Sequence, residues 1–437
     1  MVGMKRVIFI LLIGQMLMYG ADSLSLKDCI KLAISQNQDL KISDKQLQMA
    51  EEGIRSSYST VLPSVSFDYS ATRSTVGAGE RFYQGVYIPT NDTSSNYFST
   101  GLSLNQNLYN GGKRQNQIKL AKGEVQSSRL NLNRTQQAII ANVTEKFYTV
   151  LKTKELLKVY EMTLKNSQEQ LKKTEEMYKI GQVAKKDVLK AQVNEGESRL
   201  NLIKQQTSLK NALNDLKVAI GLASDYALEV YEDSYIKPET IDQAVAEQKA
   251  LENNPELKSL QIQKSNSYLN YKIARGDLLP SVNGSFSYGR DGSEIERTYS
   301  EFDKWWRTSL NLNISYPLFT GFNRKANIQQ KKINYKLYDD QIEKKKLEII
   351  SEVERLILTI NTNLEMIAIN EINILSAQED LRLAQEMYRL NSATLLDVLD
   401  AQVAFTKAQG NLVTTKYDAK IAEVQLAYLM GILQQPE

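Results

Sequence analysis

The sequence predicts a mostly α-helical α+β protein that is built as an internal duplication, with two long helical hairpins and four strands. Three observations carry this prediction: a segment that occurs twice, heptad spacing of apolar residues in two long stretches, and four short segments with a period of two. The repeated segment reads Met-Tyr, then Asp-Val-Leu, then Ala-Gln, and it starts at Met177 and again, 210 residues later, at Met387. A constant offset of this kind indicates a duplicated architecture.

Composition excludes several classes of function. The 437-residue chain contains no histidine and a single cysteine, Cys29, which we expect to be a packing residue of the first helix. Imidazole is the commonest general base at neutral pH and the commonest zinc ligand, so we expect no catalytic residue, no metal site and no cofactor. The 54 basic and 51 acidic side chains nearly balance, which gives no reason to expect a nucleic-acid partner.

The first 21 residues have the pattern of a secretory signal. Lys5 and Arg6 precede an apolar run at residues 7–12, and small residues follow around Ala21 and Ser23. We therefore expect cleavage near residues 21–23. The alternative is a hydrophobic first helix of a cytoplasmic protein.

Each repeat is predicted to begin with a helix that ends at a Leu-Pro-Ser-Val junction. Ser25 and Asp28 have the spacing of a capping box at the start of the first helix. Pro63 and Pro280 end the two helices, because the residue before a proline is pushed to extended geometry. The predicted boundaries are repeat 1 at 24–221 with a helix at 26–61, a linker at 222–240, repeat 2 at 241–431 with a helix at about 241–278, and a tail at 432–437.

Four segments alternate apolar and polar residues and are predicted to be strands. Their polar side is nearly all Ser and Asn, whereas the outer face of a globular sandwich would carry Lys and Glu. This pattern favours a transmembrane barrel with an apolar face toward lipid and a small polar face toward the lumen. The predicted strands cover about residues 64–73, 99–108, 281–289 and 307–316. Aromatic residues cluster around the loops, as in an interfacial girdle: Phe82, Tyr83, Tyr87, Tyr97, Phe98, Trp305 and Trp306.

Four strands cannot close into a barrel. An open sheet edge in lipid leaves backbone groups unsatisfied at a cost of several kcal/mol each. The chain is therefore expected to oligomerise, and closure alone leaves open a dimer with eight strands or a trimer with twelve.

The long helices are predicted from apolar residues at intervals of seven. Six such positions run from Val143 to Tyr178, and the positions 210 residues later, from Val353 to Tyr388, are apolar as well. This spacing is typical of coiled-coil packing, and each helix would form a rod of roughly 100 Å. The predicted long helices cover about 112–179 and 322–390, and the return helices cover about 187–220 and 397–430. The linker at 222–240 has no clear period and is assigned to a mixed collar around the rods.

These features together resemble the TolC family of outer membrane factors, the exit ducts of tripartite efflux and type I secretion systems. The resemblance rests on the paired Leu-Pro-Ser-Val junctions, the turns at Gly111 and Gly321, and the two tips that end in Asp-Val-Leu at Asp187 and Asp397. It covers essentially the whole mature chain. It implies a homotrimer in the outer membrane of a Gram-negative bacterium, with a twelve-stranded barrel and a periplasmic α-barrel tunnel closed at the tips. A periplasmic adaptor, also called a membrane fusion protein, and an inner membrane pump or ABC exporter are the implied partners.

By the same resemblance, Asp397 and Asp400 line the narrowest point of the tunnel. They lie three residues apart and share one helix face. In a trimer they would form a ring of carboxylates, which favours cations. The alternative is that acidic residues in a first helical turn only complement the helix dipole.

Family members hold the tips shut through polar links among a tyrosine and an arginine of the second tip and an aspartate of the first. Tyr388 and Asp187 match the tyrosine and the aspartate, but the arginine position is Ala393. Closure is then expected to rest on hydrogen bonding by Tyr388, or on Arg389, Lys185 or Lys186. Tyr388 also continues the heptad positions, so simple core packing is the alternative.

Two hypotheses follow for function. The first is a passive trimeric channel-tunnel that is gated at its periplasmic helical tips. The second is a periplasmic or cell-surface coiled-coil scaffold or adhesin without channel activity. An enzyme is the weakest interpretation, because the chain has no histidine and no convergent site motif.

Overall fold

The computed structural model describes residues 22–223, 225–231, 235, 237–239 and 241–433. The predicted signal, residues 1–21, and the last part of the predicted tail, residues 434–437, lie outside the described residues. The helices are α1 (Leu26–Gln36), α2 (Gln38–Tyr58), α3 (Lys113–Lys179), α4 (Lys185–Ile220), α5 (Gln243–Asn253), α6 (Pro255–Gly276), α7 (Glu296–Tyr299), α8 (Asn323–Arg389) and α9 (Leu395–Leu429). The strands are β1 (Asp22–Leu24), β2 (Ser64–Val76), β3 (Gly79–Tyr83), β4 (Val86–Thr90), β5 (Thr93–Asn110), β6 (Leu228–Val230), β7 (Ser281–Gly292) and β8 (Trp306–Ser315).

The described chain divides into two compact units. One unit, residues 45–129 and 259–342, contains a four-stranded antiparallel sheet in the order β2-β5-β7-β8. β2 and β8 are its edges. The register pairs Asn110 with Ser281 and Ser281 with Ser315, and it pairs Ser64 with Asn105. The strand ends that connect to the helices therefore all lie at the same end of the sheet.

The two faces of this sheet differ in chemistry. On one face apolar side chains are exposed, including Phe67 (70%), Leu310 (82%) and Ile314 (65%). The opposite face carries hydroxyl pairs across neighbouring strands, at 2.7 Å for Ser66 and Ser103, 2.8 Å for Ser70 and Ser99, and 2.7 Å for Ser287 and Ser309. Alternation along each strand produces both faces at once, because successive side chains point to opposite sides.

The strands differ from their predicted lengths in the loops. β2 and β5 extend to Val76 and back to Thr93, beyond the predicted ends, and a second hairpin of β3 and β4 connects them. The sequence of this hairpin, residues 79–90, does not alternate cleanly between apolar and polar residues, so the period of two did not reveal it. Its turn uses Gln84 and Gly85, both at positive φ.

The prediction of one continuous helix at the start of each repeat is wrong. Asn37 separates α1 from α2, and its Oδ1 accepts hydrogen bonds from the backbone N–H of Asp39 (2.8 Å) and Leu40 (3.2 Å). Asn254 separates α5 from α6 in the same way, at 3.0 Å from the N–H of Glu256 and 3.1 Å from that of Leu257. In both repeats an asparagine ends one helix and caps the next.

The other unit, residues 22–44, 130–258 and 343–433 where described, contains the two helical hairpins. The residues at the predicted heptad positions of α3 and α8 are buried or half-buried, except Tyr178, which is 43% exposed. A core forms around Phe147, Leu216 and Ile220, and it includes the fully buried Cys29. Burial raises the pKa of the Cys29 thiol to about 12, so this thiol stays protonated.

The predicted collar contains a small parallel sheet. β6 lies in the linker and pairs with β1 at the start of the described chain, with Leu24 opposite Val230. Leu228 and Val230 are buried in the core of the hairpin unit. Of the helices in the described part of the chain, none combines the length and the apolar character needed to cross a membrane.

Candidate gate at the hairpin tips

The two hairpin tips have the same backbone geometry. In the first tip Gly181 adopts φ +78°, and the N–H of Gln182 donates to the carbonyl of Met177 at 2.9 Å. In the second tip Asn391 takes the left-handed position at φ +56°, and the N–H of Ser392 donates to the carbonyl of Met387 at 2.8 Å. This arrangement satisfies the last carbonyls of α3 and α8 and turns the chain sharply. Glycine and asparagine are the residues that most readily adopt this backbone conformation.

The return helices start differently in the two tips. Thr394 and Asp397 form a capping box at the start of α9, in which Oδ2 of Asp397 accepts from the N–H (2.7 Å) and the hydroxyl (2.8 Å) of Thr394. These hydrogen bonds lower the pKa of Asp397, because they stabilise its charged form. In the first tip the corresponding residue is Ala184, which has no side-chain cap. Asp187 is therefore not held by a capping box.

The predicted constriction residues have different surroundings. Asp397 is exposed, and its carboxylate accepts hydrogen bonds from the N–H and the hydroxyl of Thr394. Asp400 is exposed and forms no ion pair or side-chain hydrogen bond within the described part of the chain. It lies about one turn further along α9 than Asp397.

An apolar cluster joins the two tips. Its buried members on the second hairpin include Tyr388, Leu395 and Val398, and Ala191 of the first hairpin is buried among them. Leu171 and Met177 of the first hairpin pack on its edge. The two tips of the chain are thus held side by side through burial of apolar surface, which is non-directional.

Tyr388 is central to this cluster and is 7% exposed. Burial of the side chain raises the pKa of Tyr388, the neighbouring Thr174 hydroxyl lowers it in part, and the negative charge of Asp187 raises it. Within the described residues no group lies in good hydrogen-bonding geometry to the Tyr388 hydroxyl. Thr174 donates its own hydroxyl proton to the carbonyl of Gln170 at 2.9 Å. Tyr388 and Asp187, which the resemblance assigns to a polar link between the tips, are therefore close enough to interact electrostatically. The packing contacts of Tyr388 in the cluster, however, are made by its aromatic ring.

The basic residues named at the tips do not bridge the two hairpins. Arg389 pairs with Glu386 of its own helix at 2.9 Å, and 74% of its side chain is exposed. Lys185 and Lys186 lie exposed in the first turn of α4, and neither forms an ion pair within the described residues. Ala393 is half-buried and supplies no charge.

A row of buried polar groups continues from the tip along α3. Ser167, Gln170 and Thr174 are buried at helical spacing. Further along, the amide of Gln402 on α9 donates to the carbonyl of Thr163 at 3.3 Å, and the hydroxyls of Thr163 and Thr406 lie 3.1 Å apart. These two contacts link α3 to α9 through polar groups at a fixed register.

Sequence reasoning missed three of these features. The Thr394 cap had a signal, because Thr-x-x-Asp is the spacing of a capping box. The hydrogen bonds between α3 and α9 had none, since they join residues 239 and 243 positions apart in the chain. The heptad position of Tyr388 indicated packing, but not which residues of the first hairpin it would contact. The described residues contain no group of three or more Cys, Asp or Glu side chains placed to hold a metal ion.

Comparison with known proteins gives matches over almost the whole chain. Residues 29–222 and 246–432 match the family model described as outer membrane efflux protein. The chain is 24% identical over 413 residues to outer membrane protein TolC of Salmonella enteritidis, covering 92% of this chain and 80% of that protein. It is 23% identical to the alkaline protease secretion protein AprF of Pseudomonas aeruginosa, covering 95% and 86%. The crystal structure of the Campylobacter jejuni CmeC outer membrane channel superimposes with a TM-score of 0.83 at 17% identity, over 94% of this chain and 87% of that one.

Proposed function

The chain belongs to the outer membrane efflux protein family, and on that premise we propose that it works as a passive homotrimeric duct that is closed at its hairpin tips. Membership of this family makes it an outer membrane exit duct of efflux or secretion systems. Our proposal adds four points to this family assignment: the trimer, the closed tips, the partner proteins and the lack of catalysis.

One observation carries the proposal, namely the four-stranded sheet with its two different faces. Its exposed apolar face fits lipid, and its opposite face of paired serine hydroxyls fits a water-filled lumen. The edges β2 and β8 expose unpaired backbone groups, which must be paired in a membrane. Three copies joined edge to edge would give twelve strands.

The tips supply the proposed gate. The cluster around Tyr388 holds the two hairpins of each protomer together, and Asp400 would face the passage from three protomers. A ring of three to six carboxylates attracts cations and repels anions. The chain then needs no chemistry of its own, because a partner in the inner membrane supplies the energy.

The partners follow from the family and from the position of the tips. A periplasmic adaptor would engage the outer faces of the hairpins, and an inner membrane pump or ABC exporter would deliver the cargo. The secretion protein AprF and the channel CmeC are both similar to this chain. We therefore propose a tripartite efflux or type I secretion system as its setting.

Planar lipid bilayers test the proposal. The purified full chain is expected to run as a detergent-dependent trimer and to form discrete, cation-selective channels. A coiled-coil scaffold or adhesin would instead be a water-soluble particle that leaves the bilayer current unchanged. That second result would reject the duct.

A further inference from the structure

Basic side chains are concentrated on the helical turns that adjoin the sheet. Residues 323–337 at the start of α8 carry five basic side chains and no acidic one, and residues 259–276 of α6 carry three and none. The exposed members of this set that lie within about ten residues of the helix end nearest the sheet, together with two from α3, are named the basic belt here. The basic belt consists of Lys119, Lys122, Lys272, Arg275, Lys325, Lys331 and Lys332.

The basic belt is not used inside the protein. Within the described residues none of its seven side chains forms an ion pair or donates a hydrogen bond to a protein acceptor. Two of the seven lie over aromatic rings, Lys272 over Tyr268 (4.5 Å) and Arg275 over Tyr271 (5.9 Å).

Nearby carboxylates do not neutralise the basic belt. Asp277 pairs with Lys113, and Asp339 pairs with Lys264 at 2.5 Å. Glu124 accepts a hydrogen bond from the amide of Asn266 at 3.0 Å. Each of these three acidic groups contacts another residue of the same unit, and none of them forms an ion pair with the basic belt within the described residues.

An exposed aromatic and apolar rim lies between the sheet and the basic belt. Tyr109 and Tyr316 are 42% and 57% exposed at the strand ends, and Phe319 and Phe322 are 76% and 67% exposed just before α8. The rings of Phe319 and Phe322 pack edge to face, with centroids 5.6 Å apart. Aromatic side chains in this position are typical of the boundary between hydrocarbon and headgroups.

The spacing fits the headgroup layer of a membrane. All seven side chains lie within about 15 Å, along their helices, of the helix ends nearest the sheet, at 1.5 Å per residue. Headgroups extend roughly 5–8 Å beyond the hydrocarbon on each side. Lys and Arg side chains are long enough to extend their charge back toward that layer.

We propose that the basic belt binds the phosphate groups of anionic phospholipids in the membrane leaflet on the helical side of the sheet. Charge complementarity favours this partner, because basic residues beside a membrane attract anionic lipid. The contiguous aromatic rim fixes the belt at headgroup depth, which favours lipid over the acidic groups of a cell-wall polymer further away. This inference rests on the proposed insertion of the sheet in the outer membrane.

Native mass spectrometry of the detergent-solubilised full chain tests the proposal, with phosphatidylglycerol and phosphatidylcholine of the same acyl chains as probes. The wild-type protein is expected to bind phosphatidylglycerol more tightly. The variant Lys325→Gln, Lys331→Gln, Lys332→Gln should bind phosphatidylglycerol about tenfold or more weakly, with its phosphatidylcholine binding unchanged. Lysine to arginine changes at the same three positions should keep the preference.

The matched control is Lys172→Gln, Lys173→Gln, Lys204→Gln, which removes the same charge from exposed positions of α3 and α4 in the other unit. It should leave lipid binding unchanged. Equal loss in this control, or full retention in the α8 variant, would overturn the proposal. So would an α8 variant that keeps its lipid preference but no longer sediments with purified peptidoglycan, since the partner would then be the cell wall.

Channel recordings separate this inference from the proposed function. An α8 variant that conducts like the wild type is folded. Loss of its preference for phosphatidylglycerol would then result from the missing charges of the basic belt. A changed ion selectivity would place these lysines in the passage and reject lipid binding. If the wild-type protein formed no channels in bilayers, the proposed duct function would be rejected, whatever the result of the lipid-binding experiment. If the α8 variant does not assemble, the pair Lys119→Gln, Lys122→Gln on α3 carries the same expectation.

Discussion

Tyr388 distinguishes two ways of holding the tips together, a hydrogen bond from its hydroxyl or burial of its ring. The ring is packed in the cluster that joins the two hairpins, whereas the hydroxyl has no partner in good geometry among the described residues. We therefore predict that Tyr388→Phe leaves the tips closed and that Tyr388→Ala opens them.

The expected magnitudes follow from the burial of the side chain. A buried hydroxyl without a partner costs about 1–3 kcal/mol, so its removal should leave the protein as stable as before or more stable. Truncation of a large buried aromatic ring to alanine costs about 3–5 kcal/mol. Part of that cost is the loss of packing between the two hairpins, because the ring belongs to the same cluster as Ala191, Leu171 and Met177 of the first hairpin. If that lost packing is about 1.4 kcal/mol, the ratio of closed to open tips falls about tenfold for each copy of the chain.

Single-channel conductance in planar bilayers measures this effect. Wild-type protein and Tyr388→Phe should show the same low conductance, and Tyr388→Ala should show frequent openings of higher conductance. Leu381→Ala is a matched control within the same cluster, 7% exposed, and should also favour opening.

The reasoning is refuted if Tyr388→Phe opens the channel as fully as Tyr388→Ala. The hydroxyl would then be the latch, with a hydrogen-bond partner supplied by another protomer. An unchanged conductance in Tyr388→Ala would show instead that the cluster does not hold the tips closed.

Three further predictions concern the caps, the constriction and the helix contacts. Asp400→Ala should reduce cation selectivity and block by multivalent cations more than Asp397→Ala, because Asp397 is engaged by Thr394; equal reductions in bilayer recordings would contradict this. Thr394→Ala should lower the urea midpoint of unfolding above about pH 4, and the loss should shrink as pH falls through the lowered pKa of Asp397, since the charged carboxylate caps the helix. A loss of the same size at every pH would count against the cap. Gly123→Ala should cost about 1–3 kcal/mol despite better helix propensity, because the added Cβ would overlap the amide of Asn266; a raised melting temperature would be the opposite result.

The long helices and the strands could be predicted because their apolar periods extend over many residues. Six heptad positions from Val143 and six from Val353 identify α3 and α8, and strict alternation identifies the sheet. The breaks at Asn37 and Asn254 could not be predicted in the same way. Each asparagine interrupts one turn and caps the next helix, so the apolar spacing on either side is hardly disturbed.

The tips were only partly predictable. The repeated motif located both turns. The resemblance matched Tyr388 and Asp187 to members of a polar link; the negative charge of Asp187 raises the pKa of Tyr388, and the link itself stays a prediction. The sequence could not tell that Arg389 pairs with its own helix, because Glu386 and the first tip are both within reach of a flexible side chain. Only the tertiary structure shows whether polar or apolar contacts hold the two tips together.

The second tip is proposed to line the passage of a membrane duct. Asp400→Cys, recorded in planar bilayers before and after a positively charged thiol reagent, tests it directly. The native Cys29 is fully buried and its pKa is raised to about 12, so it should not react. The reagent should reduce the current of Asp400→Cys and leave the current of Lys204→Cys unchanged. Equal currents through Asp400→Cys before and after full labelling would show that the second tip does not line the passage.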